Sequence, residues 1–529
     1  IPCFALTGPF SGSDAASMRD VGLVTKGVHA GVETLGIKLT WDKRYITLAP
    51  KASLLGLAFR LLDPDNHLGQ GEEVGITLAL IPTDHPGVET GRRHLPSGAA
   101  FPNGPTRGRD VFIPMEWVIG GPDRAGQGWR MLMNCLAAGR SISLPATSAA
   151  AAKAVARHST AYARVRKQFG LPIGYMEGVE EPLARLIENA YGLEAARAIT
   201  ASMVSAGEKP AVISALLKYL STARMRESVN DALDIHGGRG ICDGPSNYLQ
   251  SAYQMVPVGI TVEGANILTR SLIAFAQGAL RSHPYLLAEI EALSDEDRAR
   301  GLDRFETVFD DHRAFLFSNA TGALFHNATF GKFATAPVDV GEMKRWWKQL
   351  SRASRSFALV ADMSVALLGG GLKTKQKITG RMADALAELY LLSSILKRYQ
   401  DDGRQWADRK VVDYCAQNCL ARFDAALRGV IDNFPERWAA WIMGPLALPF
   451  GARRPASDKD AKTIVRQALQ PGAFRDRLTR DIYTSDDADD AVGLLEVALE
   501  KTIANEEAEK KLERAIRKGE EQRFHDRDW

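Results

Sequence analysis

Between Val21 and about Gly120, apolar and polar positions alternate in short runs separated by turn-forming residues. The clearest runs are Val21-Gly-Leu-Val-Thr25, Gly36-Ile-Lys-Leu-Thr-Trp41, Arg44-Tyr-Ile-Thr47, Leu54-Leu-Gly-Leu-Ala-Phe59, Gly75-Ile-Thr-Leu-Ala-Leu-Ile81 and Asp110-Val-Phe-Ile-Pro114. Runs of this length and spacing predict strands. With no helical pattern between them they predict an all-β unit, a sandwich or a barrel, and argue against a parallel dinucleotide-binding sheet. At Gly126-Gln-Gly-Trp129 the apolar spacing changes to three and four residues. From there the pattern predicts helices near 127–165, 179–206, 209–235 and 265–280, a four-helix bundle with Gly207, Gly237-Gly238 and the Gly170–Gly174 loop as stops. A second helical block follows from about 285 to 435, clearest over Met343–Leu368 and Lys377–Gln400. The expectation is a multidomain α+β chain: a β domain over 1–120, a helical bundle over 121–282, a C-terminal helical domain over 283–480 and a charged helical tail over 481–529. In that tail Glu506, Glu507 and Glu513 precede Lys510, Lys511 and Arg517 by four residues, the pattern of a solvated helix.

Composition narrows the function. The chain has 529 residues, 45% of them hydrophobic and 24% charged, which suits a globular protein of several domains. Sixty-six basic against sixty-three acidic residues leave a net charge of only +3, so nothing in the balance calls for nucleic acid. The five cysteines are sparse and lack a CxxC pair, which favours reduced thiols and makes the cytoplasm the default location. The histidines do not cluster at ligand spacing, and metal is set aside. The chain opens at Ile1-Pro-Cys-Phe4 without a signal-peptide pattern, and no run reaches the length of a membrane-spanning helix. The nearest, Trp438 to Phe450, is broken by Gly444, Pro445 and Pro449 and followed by Arg453-Arg454. It is either a core segment or a membrane-surface contact with basic flanks.

Several short segments carry candidate chemistry, each with a plain structural alternative. Thr7-Gly-Pro-Phe-Ser-Gly-Ser-Asp14 is a turn-rich loop whose backbone N–H groups and hydroxyls suit phosphate oxygens. Arg164-Val-Arg-Lys-Gln-Phe-Gly170 puts three cations at a predicted helix end, to offset the dipole or to bind phosphate. His236-Gly-Gly-Arg-Gly240 follows a helix rather than a strand, which excludes a Rossmann fingerprint or a P-loop but leaves room for a flat or phosphate-bearing ligand. Glu263 follows the uncharged run Tyr253 to Val262 and precedes Gly264. A helix cap and a desolvated general base for proton abstraction beside a carbonyl both fit it.

Taken in order, these motifs resemble the acyl-CoA dehydrogenase family, most closely its long bacterial fatty-acid β-oxidation type. Thr7 to Asp14 is similar to the family's T-x-P-x-x-G-S-D loop, Tyr45-Ile-Thr47 to its W-I-T strand and Arg166-Lys-Gln-Phe-Gly170 to its R-x-x-F-G turn. Gly237-Gly-Arg-Gly240 resembles G-G-x-G, and Val262-Glu-Gly264 resembles Y-E-G. The resemblance implies a flavin enzyme converting medium- or long-chain acyl-CoA to trans-2-enoyl-CoA and passing electrons to an electron-transfer flavoprotein. It implies that Phe4, Leu6, Thr7, Gly12, Ser13, Tyr45, Ile46 and Thr47 hold the flavin of FAD. Arg166, Gln168 and Phe169, with Asp234, Gly237 and Gly238, would meet the pyrophosphate and adenosine of a neighbouring subunit's cofactor, which requires a homodimer or higher. Glu263 would be the catalytic base, and Ser13, Gly264 and the Ala137 to Arg140 helix would line the acyl-CoA channel.

The departures from the family pattern are specific. Tyr45 stands where the family has tryptophan, Val262 where it has tyrosine, and Ala265 and Ile267 where it has polar residues. The family also has an N-terminal helical domain before the T-x-P loop, whereas six residues precede that loop here, so the expectation is a chain lacking that domain. An acyl-CoA oxidase using O₂ and a non-catalytic helical scaffold are the alternative functions. By analogy with long-chain members, the C-terminal domain would support dimerisation and contact with the inner membrane surface through Trp438 to Phe450.

Overall fold

The computed structural model describes residues 1–278 and 282–518. The chain forms two compact units, one from Ile1–Gly139 with Pro257–Ala265, the other from Arg140–Val256 with the chain from Asn266 onward. Residues 121–139 and Pro257–Ala265, read from the sequence as part of the bundle, thus belong with the strands.

The first unit holds β1 (Pro2–Ala5), β2 (Val21–His29), β3 (Val32–Thr47), β4 (Leu54–Leu62), β5 (Glu73–Pro82), β6 (Val88–Thr90) and β7 (Asn103–Pro114). They make one seven-stranded sheet in the order β1-β4-β2-β3-β7-β6, with β5 on the other edge of β4. The expected sandwich or barrel takes the form of a single curled sheet, and its pairing is mixed. β1 and β2 share one edge of β4, each in parallel, because β1 is a four-residue strand that leaves the far end of that edge for Val21–Leu23. So short a strand offers too few positions for alternation to reveal it. The β2–β3 hairpin turns through Ala30 (φ 49°) and Gly31 (φ 82°), two left-handed residues that match the twist of the flanking strands.

The predicted runs Gly36–Trp41 and Arg44–Thr47 are one sixteen-residue strand, β3. Its register against β7 slips between Leu39 and Trp41 and again between Lys43 and Ile46. Tyr45 sits in the second slip with φ 61°. Such bulges re-aim side chains, and here Ile46 enters the core while Tyr45 and Thr47 face out. The core of the unit is the inner face of the sheet, with Ile37, Leu39, Trp41, Leu55, Phe59, Ile81 and Ile113 buried.

Helix α1 (Gly128–Val165) begins in the first unit and ends in the second. It is followed by α2 (Glu177–Ser205), α3 (Ala211–His236), α4 (Gly238–Ile241), α5 (Gln250–Thr261) and α6 (Asn266–Leu268), which runs into π-helical α7 (Thr269–Gln277). The first three match their predicted ranges to within two residues. Helix α5 was not expected, since it carries Pro257 internally and has no charged residue to mark a solvent face. Then come α8 (Leu286–Leu293), α9 (Arg298–Ala328), α10 (Lys344–Leu368), α11 (Gln376–Asp401), α12 (Arg409–Asp432), α13 (Arg437–Ala447), α14 (Asp458–Ala468), α15 (Ala473–Leu478), α16 (Ala491–Ala504) and α17 (Glu506–Arg517). The last part of the predicted helix 265–280 and of the tail, residues 279–281 and 519–529, lie outside the described residues.

The bundle and the C-terminal block, separated in the sequence reading, share one interior. Helix α2 packs on α3, α11, α12 and α14. A buried ionic network crosses the expected boundary: Arg224 Nη2 meets Glu388 Oε1 at 2.7 Å, Arg422 Nε meets the same oxygen at 3.1 Å, and Asn418 Nδ2 donates to Glu188 Oε2 at 2.9 Å. Arg422 also pairs with Glu188. The network balances two arginines against two glutamates, so removing any one of these four would leave a charge uncompensated.

The segment Gly341–Lys373 is long and apolar enough to cross a membrane, where the sequence reading found no such run. Its helix α10 packs on α9, α11 and α13. Three of its polar side chains are met inside that packing, Arg352 Nε by Asn327 Oδ1 (2.7 Å), Arg355 Nη1 by Asn319 Oδ1 (2.8 Å) and Asp362 Oδ1 by His283 Nε2 (2.8 Å). These are the surroundings of a bundle helix.

Candidate active site

Glu263 lies between two helices, two residues after α5 ends and three before α6 begins. Its backbone is left-handed (φ 54°), as is that of Gly264 (φ 95°). For a glutamate that conformation costs on the order of 1 kcal/mol, and it persists where the surroundings require it. The turn sets the carboxylate against α1 at Gly139, both within the first unit. A Cβ on Gly139 would lie 3.2 Å from Glu263 Oε1, 3.6 Å from Cδ and 3.7 Å from Oε2. Oε2 is fully buried. The arrangement is a carboxylate seated on a bare patch of helix backbone, a seat that Gly139 leaves open.

The two segments expected to hold the flavin are joined in the same unit. Arg44 N–H donates to the Thr7 carbonyl at 3.0 Å, and Gly8 N–H to the Ser11 carbonyl at 3.0 Å. Phe4, Gly12, Ser13, Tyr45 and Thr47 are exposed and Thr7 is half-buried. Arg44 lies over the Tyr45 ring at 5.0 Å, and Asn103 Nδ2 donates to the Tyr45 carbonyl at 3.0 Å. Two of the expected residues turn their side chains away. Leu6 packs with Met18, Ala58, Leu78 and Leu132, and Ile46 lies in the sheet core, so both offer a ligand only their backbone. The sequence reading missed Lys43 and Asp20. Lys43 is fully buried, and its Nζ donates to Asp20 Oδ2 at 2.5 Å and to the Leu6 carbonyl at 2.9 Å. A signal was available, since Lys43 follows the buried Trp41 by two positions on β3.

In the second unit the Arg164–Gly170 segment ends α1 and turns through a small hairpin, Lys167–Gln168 against Leu171–Pro172. Its tip is Phe169 (φ 53°) and Gly170 (φ 75°), and Phe169 is 95% exposed. The three cations have separate fates. Arg164 is 1% exposed and meets Glu506 Oε2 at 2.7 Å, and Lys167 pairs with Glu509. Arg166 is exposed and has no ion pair among the described residues. This corrects the reading of the tail as a simply solvated helix: Lys510 does pair with Glu506 at 3.1 Å, but the first turn of α17 docks on the cations at the end of α1. The Asp234–Gly238 turn is tied to the same place. Tyr162 stacks on His236 (4.2 Å, 20°), and its hydroxyl donates to the His236 carbonyl at 3.4 Å. Asp234, Gly237 and Gly238 are exposed, and a Cβ on either glycine would meet nothing within 4 Å. The turn thus presents open backbone.

Along the expected acyl channel, the side chains of residues 137 and 138 lie outside the described residues, and Arg140 is half-buried. His283, His312 and Asp362 are brought within 4.8 Å of one another in the second unit. His283 Nε2 is hydrogen-bonded to Asp362 Oδ1 at 2.8 Å, whereas His312 Nδ1 meets Glu289 Oε1 at 2.7 Å. His283 Nδ1 accepts from Tyr285 N–H (3.2 Å) and Leu286 N–H (3.3 Å), which puts the proton on Nε2, facing Asp362.

Two family models match the chain end to end from its helical part onward. Residues 126–277 match "Acyl-CoA dehydrogenase, C-terminal domain" and residues 280–529 match "Acyl-CoA dehydrogenase, C-terminal, bacterial type". The chain belongs to the acyl-CoA dehydrogenase family. Among curated proteins, the chain is 27% identical over 409 residues to the probable acyl-CoA dehydrogenase FadE10 of Mycobacterium tuberculosis, covering 75% of this chain and 59% of that protein. It is 57% identical over 99 residues to protein HemX of Proteus mirabilis, covering 19% of this chain and 58% of that protein. The chain therefore spans less than two thirds of these curated relatives. Among solved structures, the acyl-CoA dehydrogenase of Bacillus anthracis complexed with FAD superposes with a TM-score of 0.67 at 18% identity, over 88% of this chain and 75% of that one. At that identity the likeness is one of acyl-CoA dehydrogenase fold.

Proposed function

We propose that this chain carries the catalytic base of an FAD-dependent enzyme that dehydrogenates medium- or long-chain acyl-CoA to trans-2-enoyl-CoA, as the first step of fatty-acid β-oxidation. The observation that supports this reading above all is Glu263, whose carboxylate is seated on Gly139 by a left-handed turn. A carboxylate held in this way suits removal of the acidic α-hydrogen of a thioester as a proton. The negative charge that then develops on the thioester oxygen needs a donor, and the Glu263 backbone N–H serves. Ser13, Arg140 and Gly264 would line the acyl-CoA path.

The residues present fit FAD. Exposed Phe4, Gly12, Ser13, Tyr45 and Thr47 and half-buried Thr7 would take the flavin end. Arg166, with Gln168, Phe169 and the open backbone at Asp234, Gly237 and Gly238, would take the pyrophosphate and adenosine of a neighbouring subunit's cofactor. FAD supplies the hydride acceptor for the β-hydrogen. A homodimer or larger assembly and an electron-transfer flavoprotein are the proposed partners. Anaerobic addition of acyl-CoAs of graded chain length to the FAD-loaded protein should bleach the flavin and yield enoyl-CoA. A protein that stays colourless with FAD ends this reading, and stoichiometric peroxide in air without another acceptor makes it an oxidase.

Gly139→Ala sharpens the role of the seat. Alanine improves helix propensity by about 1 kcal/mol, so thermal stability should hold or rise. The added methyl has to displace the carboxylate, and misplacement on this scale slows reactions by up to about a hundredfold. Stopped-flow flavin reduction should therefore fall at least tenfold while the melting temperature does not, and an unchanged rate would dismiss the seat.

The cytoplasm, with contact at the inner membrane surface, is the proposed location. Helix α13 buries Ala439, Ala440, Met443 and Ala447 and exposes Trp438, Trp441 and Ile442, with Phe450 beyond it stacked on Phe330. The buried face fits a core segment, and the exposed face is the one proposed to meet the membrane surface. Arg453 is not a free basic flank, since its Nη2 pairs with buried Asp424 at 2.6 Å. In liposome flotation the wild type should rise with the vesicles and Trp441→Glu should largely stay below; equal partitioning would count against the contact.

A further inference from the structure

Lys43 is a fully buried lysine in a strand that otherwise buries apolar side chains, and burial of its ammonium is met by two partners, 23 and 37 residues away in sequence. Asp20 Oδ2 accepts one hydrogen bond from Lys43 Nζ, and the Leu6 carbonyl accepts another. Asp20 is itself fixed on two further sides: its Oδ1 accepts from Asp42 N–H at 2.9 Å, and its carbonyl accepts from Arg60 N–H at 2.9 Å. One buried centre therefore joins β3, β4, the residue before β2 and the residue before Thr7. The Thr7–Gly8 backbone is closed against the same centre, since a Cβ on Gly8 would lie 2.9 Å from the Asp42 carbonyl and 3.8 Å from Asp20 Oδ2. A buried ion pair adds little net stability compared with apolar packing, so its presence points to a requirement for geometry.

We infer that the Lys43–Asp20 pair is a positioning device that fixes the Thr7–Ser13 loop in one register against the Tyr45–Thr47 strand. For its purpose the inference rests on the flavin reading, because those are the two segments assigned to the flavin end of FAD. Neither residue needs to touch the cofactor. Lys43 acts through the Leu6 carbonyl on the loop that follows it, and through β3 on the bulge at Tyr45 two residues later. Loss of the pair should free the loop while the rest of the sheet keeps its ladder.

The test is the full chain carrying Lys43→Met with Asp20→Asn, which removes both charges together and leaves no unpaired ion in the interior. Hydrogen exchange at Gly8 N–H and Arg44 N–H, the donors that hold the loop, should speed up at least tenfold. Exchange along the β4–β5 ladder, for example at Leu57, should stay within twofold. The FAD dissociation constant should rise at least tenfold, and the visible flavin spectrum should shift toward that of free FAD. A merely structural role predicts uniform acceleration across the sheet, and that result overturns the inference, as does unchanged exchange at Gly8 and Arg44. If the wild type binds no FAD, the flavin reading fails, and the exchange pattern still decides whether the pair positions the loop.

Discussion

Glu263→Gln is expected to bind FAD and acyl-CoA as the wild type does and to reduce the flavin between about a hundred and ten thousand times more slowly, the range that a positioned general base contributes. Glutamine has nearly the same shape, so the left-handed turn at 263 and the seat on Gly139 should persist. What is lost is the acceptor for the α-proton. Rapid anaerobic mixing with acyl-CoA measures the rate, and equilibrium titration of the flavin spectrum checks that binding survives. Wild-type reduction by this variant would show that another group takes the proton. The pairing with Gly139→Ala is informative, because one variant removes the basic oxygen and the other moves it.

The second large effect is on stability in mild acid. Burial holds His158 at about 4 against an ordinary 6.5, with Glu496 pulling it up and His236, Arg475 and Arg157 pushing it down. Burial likewise holds His236 at about 4, the bond to the Ala232 carbonyl pulling up and Arg239 pushing down. The geometry agrees. His236 Nδ1 donates to Ala232 at 2.7 Å and its Nε2 takes the Tyr248 hydroxyl at 2.7 Å, the hydrogen bonds of a neutral ring. In the unfolded chain both rings take up a proton near 6.5. Between pH 6.5 and 4 the unfolded state therefore binds more protons, and stability falls as pH falls through that window; above it these two groups have no effect. At pH 5 the loss is about 2 kcal/mol for each ring, at about 1.4 kcal/mol per pH unit. Glu194, Glu388 and Glu496 act lower. Burial opposes their ionisation, but their basic partners hold each below the ordinary 4.5. Denaturant unfolding at pH 7 and pH 5 should thus show a drop of several kcal/mol, and His158→Gln should remove about half of it. Equal stability at the two pH values would refute the assignment.

How much of this was legible in the sequence depended on range. Helices α1 to α3 announced themselves through apolar spacing and glycine stops, and the strands through alternation, because those signals are local. Strand β1 is too short for a period, and α5 hides its helical period behind Pro257 and a lack of charge. The candidate residues were likewise legible as ordered short motifs, Thr7 to Asp14, Tyr45 to Thr47, Arg166 to Gly170 and Val262 to Gly264. What those motifs could not show is contact. Arg164 meets Glu506 across 342 positions, and Lys43 meets Leu6 across 37. Three neighbouring cations looked alike in the sequence, and only burial and pairing separate Arg164 and Lys167 from the exposed Arg166. At Glu263, the left-handed backbone that sets the carboxylate against Gly139 is a conformation that no composition signals.

The first unit is discontinuous in the chain, since Pro257–Ala265 completes what Ile1–Gly139 begins. During synthesis the sheet can form as soon as its strands leave the ribosome, but Glu263 arrives only after residues 140–256 have been made. The loops precede their base. A piece cut just after Gly139 would keep the Thr7 and Tyr45 segments and the seat, and would have nothing to place on it. In vectorial folding, the reactive carboxylate is thus among the last parts of its unit to be delivered, when the surface that receives it has already had time to form.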